Sequence, residues 1–301
     1  MAEGEALVRY EIASICGSDL HIVCMGWNVD SWPAPPGYSG HEGVGRVVES
    51  RSDEFRPGDR VLVVPHIWNS FGFAQYQSVD DKHLLRLPDR GDAAALSMAQ
   101  QLGTVIFAAQ RLPELDDKTA VVVGQGSAGL FWDFVLKHLG IARVITIEPL
   151  AHRRELGRTY GADDLIDVTG NAATDAVMDL TAGSGADLVI EAVGSSETLS
   201  HAFRLVRDEG HVVLFGLPEK SGPVPFDYDA WFRKRAFAYT RLGSQEEPGL
   251  TSYRQAVEWI TSDLINVQPV ITHMLPGERV QEAFDMAMAR TDGVVKVALK
   301  F

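Results

Sequence analysis

Four chemically reactive kinds of side chain lie close together near the start of the chain. The stretch ICGSDLH contains a thiol, a hydroxyl, a carboxylate and an imidazole, at Cys16, Ser18, Asp19 and His21. Such a set is typical of a zinc ion with a proton path beside it, because thiolate and imidazole are strong zinc ligands. A polar turn with an incidental buried cysteine is the alternative interpretation.

A second segment supplies further metal-binding groups. The motif GHEGVG contains His41 and Glu42, which together with Cys16 offer nitrogen, oxygen and sulfur donors. That mixture suits zinc better than magnesium or calcium, which prefer oxygen ligands. A structural zinc site fills four positions with Cys and His, and this chain has only two cysteines, Cys16 and Cys24. The sequence therefore favours a catalytic metal with one position open to water or substrate.

A glycine motif in the middle of the chain predicts a dinucleotide site. Gly124, Gly126 and Gly129 follow an apolar run in G-x-G-x-x-G spacing and precede a helix pattern. These glycines allow a tight turn, approach of a pyrophosphate and packing of helix on strand. Glu148 ends the next predicted strand, where a carboxylate accepts ribose hydroxyls and repels the 2′-phosphate of NADP. The motif thus predicts NAD, while Arg153 can pair with a phosphate and keeps NADP as the alternative.

The pattern of elements predicts an α/β protein in three regions. Residues 1–108 contain short strands separated by Gly and Pro turns, which indicates a mainly β domain. Residues 109–241 alternate apolar strands with amphipathic helices, which indicates a doubly wound parallel sheet. Residues 242–301 end in the strand pattern GVVKVALKF, which has no sheet of its own and is expected to pack back on the first region.

Composition excludes several classes of protein. The chain has 301 residues, 46% of them hydrophobic, which is enough for two buried cores. A formal charge of -14 repels phosphate backbones and anionic lipid, so we expect no nucleic-acid or membrane partner. The first residues lack a signal-peptide pattern, and no apolar run reaches the roughly 18 residues that span a bilayer. With so few cysteines, we expect a reduced, cytoplasmic protein.

Several stretches together resemble the zinc-dependent medium-chain dehydrogenase superfamily of alcohol, polyol and sugar dehydrogenases. These are ICGSDLH, PGYSGHEGVGRVVE, RPGDRV, the glycine motif and the tail from PVITHML to VVKVALKF, in this order along nearly the whole chain. The resemblance implies a GroES-like catalytic domain at 1–108, a Rossmann NAD-binding domain at 109–241, and completion of the catalytic domain by 242–301. It implies a zinc-dependent oxidoreductase that transfers a hydride between an alcohol, polyol or sugar hydroxyl and NAD.

The resemblance also assigns the metal site. It implies that Cys16 and His41 bind zinc, with Glu42 as a ligand or close neighbour, and that Asp19 orients His41. The next expected ligand is a Cys or Glu at the start of the helix before the dinucleotide domain, and that position is Gln100. The side chain of glutamine is a neutral oxygen donor and a weaker zinc ligand than a carboxylate. Gln100 therefore either binds the zinc directly, holds a water molecule on it, or indicates a site at which the metal is weakly bound. Because the cysteines of the family's structural zinc lobe are absent, we expect one catalytic zinc per chain.

Proton transfer and cofactor contacts follow from the same resemblance. Ser18 is implied to accept the proton of the substrate hydroxyl, and His21 to pass that proton to solvent. The expected cofactor-binding residues are Gly124, Gly126, Ser127, Ala128, Gly129, Glu148, Arg153, Val193, Gly216 and Lys296.

The sequence leaves the substrate, the assembly and two alternative functions open. Aromatic residues near the metal segments form either a substrate pocket or part of the core; they are Trp27, Trp32, Tyr38, Trp68, Phe71 and Phe73. The main alternative functions are a zinc-free quinone or enoyl reductase of the same superfamily and a redox-inactive NAD-binding protein. A metal-dependent elimination or epimerisation that uses a tightly held NAD is a further possibility. The resemblance implies a homodimer or homotetramer, with strands near GHVVLFGLPE and AFAYTRLGS pairing across a two-fold axis.

Overall fold

The computed structural model describes residues 1–27, 29 and 33–301, which form two compact units. The first unit contains Met1–Phe107 and Gly243–Phe301, and the second contains Ala108–Leu242. The chain therefore leaves the first unit, builds the second, and returns to complete the first.

The strands are short and are distributed over both units. In chain order they are β1 (Glu5–Ser14), β2 (Glu42–Ser50), β3 (Arg60–Val63), β4 (Tyr76–Asp80), β5 (Leu84–Arg86), β6 (Thr119–Val123), β7 (Arg143–Ile147), β8 (Asp164–Ile166), β9 (Ala186–Glu191), β10 (Val206–Leu214), β11 (Phe237–Thr240), β12 (Ile271–Pro276) and β13 (Lys296–Lys300).

The α-helices are concentrated in the second unit. In chain order they are α1 (Gly17–Asp19), α2 (Ala93–Ala109), α3 (Ser127–His138), α4 (Ala151–Tyr160), α5 (Gly170–Leu180), α6 (Ser196–Leu205), α7 (Tyr228–Lys234), α8 (Thr251–Thr261) and α9 (Val280–Ala289). A π-helical turn, Leu20–Cys24, continues α1. The 3₁₀ turns are Ile67–Asn69, Asp81–His83, Ser244–Glu246, Pro248–Leu250, Gln268–Val270 and Gly277–Arg279.

The first unit is built on a mostly antiparallel sheet centred on β1. The sheet has the order β12-β13-β1-β2-β3-β5, and β4 also pairs with β1. β13 pairs with the end of β1, with Ser14 opposite Ala298, while Ser14 also lies opposite Glu42 on β2. The first and last strands of the chain are therefore neighbours, and both stand next to the segment that carries Glu42.

The glycines of GHEGVG permit close pairing of β1 and β2. A Cβ atom on Gly43 would overlap the ring of Tyr10, and one on Gly45 would overlap the backbone oxygen of Arg9. Tyr10 is buried in the core of this sheet together with Val8 and other apolar residues. The small residues on β2 thus let large side chains of β1 fill the interior.

The second unit is a parallel sheet with the strand order β11-β10-β9-β6-β7-β8. Numbered from β6, this order is the 3-2-1-4-5-6 arrangement of doubly wound dinucleotide-binding folds. Its strands are continuous apolar runs, and Val121, Ile145 and Val189 are fully buried. Residues of α5 and α6, such as Val177 and Phe203, pack into the same core. The predicted fold class, a mainly β GroES-like domain with a doubly wound domain, is confirmed.

The strand order reverses between β6 and β9, and this point locates the ligand site of the second unit. In doubly wound sheets the ligand binds beyond the carboxyl ends of the strands where the order reverses. The loop Gly124–Gly126 follows β6, and Val193 follows β9. Both of these predicted cofactor positions therefore lie at the reversal point.

Within the described ranges, no helix combines the length and apolar composition that crossing a membrane requires.

Candidate functional site

The stretch ICGSDLH forms a tight turn directly after β1. Cys16 has extended backbone geometry and precedes α1, and its backbone N–H donates a hydrogen bond of 2.8 Å to Oδ2 of Asp19. Helix starts leave backbone N–H groups without partners inside the helix, and a carboxylate is a suitable acceptor for them. The turn therefore fixes the position of the thiol relative to the Asp19 carboxylate.

Asp19 also holds the second metal-binding segment. Its side chain is fully buried, and its Oδ1 accepts a hydrogen bond of 2.6 Å from Oγ of Ser39 and lies 3.1 Å from Nδ1 of His41. Nδ1 also lies 3.1 Å from the backbone oxygen of Ser39. Because acceptors surround Nδ1, this nitrogen carries the proton and Nε2 is the nitrogen that can bind a metal.

The pKa of His41 reflects the same carboxylate. Burial lowers the pKa of the imidazole, but the charge of Asp19 and its hydrogen bond to the ring outweigh burial and hold the pKa well above its usual value. A carboxylate beside the distal nitrogen also increases the basicity of a metal-binding imidazole.

Cys16, His41 and Glu42 form a cluster that can hold a metal ion. A sulfur, a ring nitrogen and a carboxylate oxygen from these residues all lie within 4.8 Å of one another. His41 and Glu42 are buried and Cys16 is partly buried. One sulfur, one nitrogen and one oxygen form a suitable ligand set for zinc with an open fourth position, so the residues present fit a catalytic zinc.

Glu42 is fixed through only one of its two carboxylate oxygens. Oε2 accepts a hydrogen bond of 2.6 Å from Ser14 and one of 2.7 Å from Nζ of Lys296. Oε1 is buried and has no hydrogen-bond partner among the described residues. A buried carboxylate oxygen without a partner is costly, and a cation at the cluster would satisfy it.

Lys296 and Glu42 form a buried ion pair. Burial raises the pKa of Glu42, but Lys296 and His41 outweigh burial, so the pKa lies below its usual value. Burial lowers the pKa of Lys296, and Glu42 reverses this, so the pKa is raised. Loss of one member of a buried pair typically costs about 3–5 kcal/mol, because the other charge is left uncompensated.

The sequence did not predict this partner for Lys296. The resemblance assigned Lys296 to the cofactor, near its pyrophosphate. The structure places this buried lysine, which is 2% exposed, with its ammonium against Glu42 at the candidate metal cluster. A role at the pyrophosphate stays a prediction.

Ser18 is placed at the cluster. Its Oγ lies 3.2 Å from Nε2 of His41, the ring nitrogen opposite the one that contacts Asp19 and Ser39. His21 lies in the π-helical turn after α1 and is 8% exposed. The structure therefore brings Ser18 to the predicted metal position, and the onward proton path through His21 stays a prediction.

The glutamine that contacts Cys16 is Gln101, which the sequence reasoning missed. Nε2 of Gln101 donates to Sγ of Cys16 at 3.6 Å, and Oε1 of Gln101 is buried without a hydrogen-bond partner among the described residues. Gln100 is also buried in α2, and its backbone oxygen accepts from Thr104. Two adjacent glutamines were the only sequence signal, and metal binding by Gln100 stays a prediction.

The aromatic residues near the candidate metal segments differ in their burial and in their partners. Phe73 packs edge-on against Phe284 with ring centroids 5.3 Å apart, and it is partly buried against the apolar cluster that contains Phe284. Trp27 and Trp68 lie 5.0 Å apart, and Trp68 is exposed. The remaining predicted members are Tyr38 and Phe71, which contact each other at 6.1 Å, and Trp32, which lies outside the described residues. Phe73 is thus partly buried against the core of the first unit, and Trp68 is exposed beside the partly buried Trp27.

Each glycine of the dinucleotide motif has its own steric environment. Gly124 has a left-handed φ of 92°, and a Cβ on it would lie 2.6 Å from the Val193 side chain. A Cβ on Gly129 would overlap the backbone oxygen of Gly124. A Cβ on Gly126 would meet no atom within 4 Å. Gly124 and Gly129 are therefore required by the fold, whereas Gly126 faces open space in which a ligand can approach. Ser127 and Ala128 begin α3 directly after this loop.

Glu148 is bound to the glycine loop. Its Oε2 accepts a hydrogen bond of 2.8 Å from the backbone N–H of Gln125, and its Oε1 accepts one of 3.0 Å from the backbone N–H of Leu150. Arg154 donates to the backbone oxygen of Glu148 at 2.9 Å, and Arg153 lies beside it in α4. The carboxylate predicted to bind ribose thus stands next to the loop predicted to bind phosphate.

Val193 and Gly216 are brought together at the carboxyl ends of β9 and β10. A Cβ on Gly216 would overlap the backbone nitrogen of Gly194. The buried Glu191 accepts hydrogen bonds from the backbone N–H groups of Val193 and Gly194, at 2.8 and 2.9 Å. The turn that carries Val193 is therefore fixed by the Glu191 carboxylate and by close packing against Gly216.

Two family models match the chain. The model described as alcohol dehydrogenase GroES-like domain matches residues 2–89, and the model described as zinc-binding dehydrogenase matches residues 129–262.

Curated relatives and solved structures match over nearly the full length. The L-threonine 3-dehydrogenase of Pyrococcus horikoshii is 30% identical, over 99% of this chain and 92% of its own length. An alcohol dehydrogenase from Thermus sp. ATN1 superposes with a TM-score of 0.84 at 24% identity, covering 100% of this chain and 93% of that chain. A zinc-binding dehydrogenase from Sinorhizobium meliloti bound to NADP gives a TM-score of 0.83 at 22% identity, with coverage of 100% and 93%.

These similarities decide between the functions that the sequence left open. They give no support to a zinc-free quinone or enoyl reductase or to a redox-inactive NAD-binding protein. The chain belongs to the zinc-dependent medium-chain dehydrogenase superfamily, and it is a zinc-dependent oxidoreductase of the alcohol and polyol dehydrogenase type.

Proposed function

We propose that this dehydrogenase oxidises a secondary hydroxyl group of a small polar substrate with NAD, using one zinc ion per chain held by Cys16, His41 and Glu42. The observation that carries the proposal is the cluster of three different donor atoms within 4.8 Å, in which Glu42 keeps one buried oxygen without a partner. The hydroxyl carbon loses a hydride to the cofactor, and the hydroxyl oxygen loses a proton to solvent.

The chain's own residues prepare the site for this reaction. Zinc supplies Lewis acidity that lowers the pKa of a bound hydroxyl, and NAD supplies a two-electron hydride acceptor. Asp19 keeps the proton of His41 on Nδ1, so that Nε2 faces the cluster. Ser18 accepts the substrate proton at Oγ, and His21 carries it towards solvent. Gln100 is a further candidate for a neutral oxygen ligand or a holder of water.

We propose NAD over NADP because of Glu148. Its carboxylate stands beside the glycine loop, where ribose hydroxyls can donate to it and a 2′-phosphate would be repelled. Gly126 leaves room for the pyrophosphate, and Arg153, Val193 and Gly216 complete the proposed cofactor contacts. In this proposal the second unit holds the cofactor and the first unit holds the metal.

We propose a hydroxyl-bearing substrate related to L-threonine, because the curated relatives are L-threonine 3-dehydrogenases. The surroundings of Cys16 and His41 are polar, with Ser18, Ser39 and Gln101 in contact with them. Polyols and sugars are the related class, since they also present secondary hydroxyl groups.

We also propose that two copies associate through the second unit. β11 is an edge strand, and Phe237 on it is exposed. An exposed apolar edge strand is a template for pairing with another chain, and a two-fold axis gives the closed arrangement.

The reaction can be tested directly with purified protein. L-threonine, vicinal diols, sugar alcohols and simple secondary alcohols are each incubated with NAD, and NADH formation is followed by absorbance. We expect turnover on at least one polar secondary alcohol, its loss after zinc is removed by a chelator, and its recovery when zinc is restored. Full activity in protein that contains less than about 0.2 zinc per chain would contradict the zinc proposal.

Replacing Cys16 by serine tests the metal site. We expect Cys16→Ser to lose zinc and nearly all turnover, because a hydroxyl is a much poorer zinc ligand than a thiolate. Metal analysis and NAD titration are the measurements, and NAD affinity is expected to stay within about threefold because the cofactor loop is untouched. The matched control is Cys24→Ser, which removes an exposed thiol eight positions away and keeps zinc. Retention of stoichiometric zinc by Cys16→Ser would show that the ligand assignment is wrong.

The glycine loop offers a matched pair of variants. Gly126→Ala adds a methyl group in open space, so the stability should be unchanged while NAD binding weakens by about tenfold or more. Gly129→Ala places the methyl group against the Gly124 carbonyl, so the free energy of unfolding should fall by about 1–3 kcal/mol or more. Urea unfolding and NAD titration measure the two effects. Wild-type NAD affinity in Gly126→Ala would argue against phosphate binding at this loop.

Cofactor choice can be tested at Glu148. Glu148→Gln removes the charge but keeps an oxygen acceptor for the loop, so the ratio of NADP affinity to NAD affinity should rise by about tenfold. Titration of each cofactor measures the ratio, and Glu155→Ala, which removes an exposed carboxylate from α4, is the control. If Glu148→Gln leaves the ratio unchanged, the ribose is held by another group.

A further inference from the structure

A short loop packs against the segment that carries His41, and we call this loop, Ser70–Phe73, the bracing loop. Its first residue, Ser70, has no solvent exposure. Oγ of Ser70 lies 2.8 Å from the backbone oxygen of Ser39 and 3.0 Å from that of Ile67. A serine hydroxyl has one proton, and the shorter contact assigns it to the Ser39 oxygen. Ser70 therefore donates to a backbone group two residues before a candidate metal ligand.

The bracing loop also holds the next peptide group of the chain. The backbone N–H of Gly72 donates a hydrogen bond of 2.8 Å to the backbone oxygen of Gly40. The carbonyl groups of Ser39 and Gly40 belong to two successive peptide groups that lead directly to His41. Because each peptide group is planar, holding both carbonyls restricts the two backbone rotations at Gly40. The direction in which the chain enters His41 is therefore set by one loop.

Gly40 makes this restraint important. A Cβ on Gly40 would lie 2.7 Å from the backbone nitrogen of Phe73, and a Cβ on Gly72 would lie 2.8 Å from the backbone oxygen of Gly40. The two backbones thus approach too closely for side chains at these positions. Glycine also has the widest range of backbone angles, so an unsupported Gly40 would allow His41 many orientations. The contacts that require glycine are the ones that restrict its rotation.

The bracing loop is itself anchored in the first unit. The backbone N–H of Phe71 donates to Oε1 of Gln77 at 3.3 Å, and the buried hydroxyl of Tyr10 donates to the same oxygen at 2.7 Å. Phe73 packs against Phe284 of α9. Because Gln77 lies on β4 and Tyr10 on β1, the loop is attached both to the sheet and to a helix. It can therefore serve as a fixed support for the neighbouring segment.

The Ser39 carbonyl has a second contact, with the imidazole. Its oxygen lies 3.1 Å from Nδ1 of His41, and a backbone carbonyl has two lone pairs, so it can accept from both Ser70 and His41. Oγ of Ser39 donates to Oδ1 of Asp19 at 2.6 Å. Ser39 thus connects the bracing loop to the imidazole and to the carboxylate beside it.

We propose that Ser70 is a positioning residue for the metal site, because its hydroxyl holds the Ser39 carbonyl and thereby orients the backbone and the imidazole of His41. The bracing loop in this way selects the one orientation of His41 in which its ring nitrogen meets the other donors of the cluster. The inference rests on the proposed binding of zinc by the cluster that contains His41. Ser70 acts through Ser39 and needs no contact with the metal or the substrate.

Replacing Ser70 by alanine tests this role. Ser70→Ala removes one hydroxyl, and we expect the metal-free variant to bind Zn²⁺ about tenfold more weakly than the wild type, measured in competition with a chelator. The reason is that loss of a hydrogen-bond partner behind a metal-binding imidazole typically costs about tenfold or more in metal affinity. NAD affinity should stay within about twofold of the wild type, because the substitution leaves the glycine loop unchanged.

The matched control is Ser97→Ala. Ser97 also has no solvent exposure, and its Oγ donates at 2.8 Å to a backbone oxygen, that of Ala94 in its own helix, α2. The control therefore loses the same kind of buried hydrogen bond but keeps the support of Ser39. Its affinity for Zn²⁺ should stay within about twofold of the wild type.

Co²⁺ in place of Zn²⁺ gives a spectroscopic readout of the ligand geometry. The visible absorption bands of the Co²⁺ protein should change in position or intensity in Ser70→Ala and should match the wild type in Ser97→Ala. Wild-type affinity for Zn²⁺ in folded Ser70→Ala, or an equal loss of affinity in Ser97→Ala, would overturn the proposal. A Co²⁺ spectrum of Ser70→Ala identical to that of the wild type would also overturn it.

A measurement on the metal-free protein separates this proposal from the zinc assignment. Deuterium exchange of the backbone amides of residues 39–42 should be faster in Ser70→Ala than in the wild type or in Ser97→Ala. Unchanged exchange in Ser70→Ala would show that the hydroxyl does not hold this segment. If the wild-type protein binds no Zn²⁺ at the cluster, the metal proposal fails, while the exchange rates still decide whether Ser70 restrains the backbone before His41.

Discussion

The positions of the candidate metal ligands Cys16 and His41 depend on one buried carboxylate, that of Asp19. It accepts a hydrogen bond from the backbone of Cys16 and one from Ser39, and it contacts the ring of His41. These partners belong to two segments more than twenty residues apart. A single side chain therefore fixes the positions of both the Cys16 thiol and the His41 imidazole. Burying a carboxylate is costly unless hydrogen bonds replace those it made to water, and these partners supply them. The same hydrogen bonds hold the turn closed, because opening it would break them.

A second constraint joins the two ends of the chain. Glu42 is held by Ser14 on β1 and by Lys296 on β13, which are brought next to each other by the pairing of β1 with β13. The third donor of the cluster is therefore held by residues from both ends of the chain. Burying two charges carries a large desolvation cost, which the mutual attraction of Glu42 and Lys296 offsets. The arrangement leaves one carboxylate oxygen of Glu42 directed away from the ion pair and available to a cation.

Much of this fold could be predicted from periodicity, since the apolar runs at β6, β7 and β9 and the helices between them carry strong local signals. The spacing of Gly124, Gly126 and Gly129 likewise predicted a tight turn between a strand and a helix, and the structure has this turn between β6 and α3. Contacts between distant polar residues could not be predicted. Glu42 and Lys296 are 254 positions apart, and nothing in either neighbourhood marks the other. The contact of Gln101 with Cys16 was missed for a different reason. Gln100 and Gln101 are adjacent in α2, and the rotation of the helix about its axis decides which of them faces Cys16. The sequence does not reveal that rotation.

The glycine loop illustrates why a recognisable motif is not a complete site. Glycines allow the backbone to approach a phosphate, but they also give the loop many accessible conformations and no side chains with which to select one. Residues outside the fixed positions of the motif must therefore select one loop conformation. Gln125 occupies a position at which the motif accepts any residue, yet its backbone and its amide contact Glu148 and Gly124. The order of the loop is therefore set by a buried polar network with Gln125 at its centre. Buried hydrogen bonds are stronger than exposed ones because the local dielectric is low, so these contacts restrict the loop to fewer conformations than its glycines alone would allow.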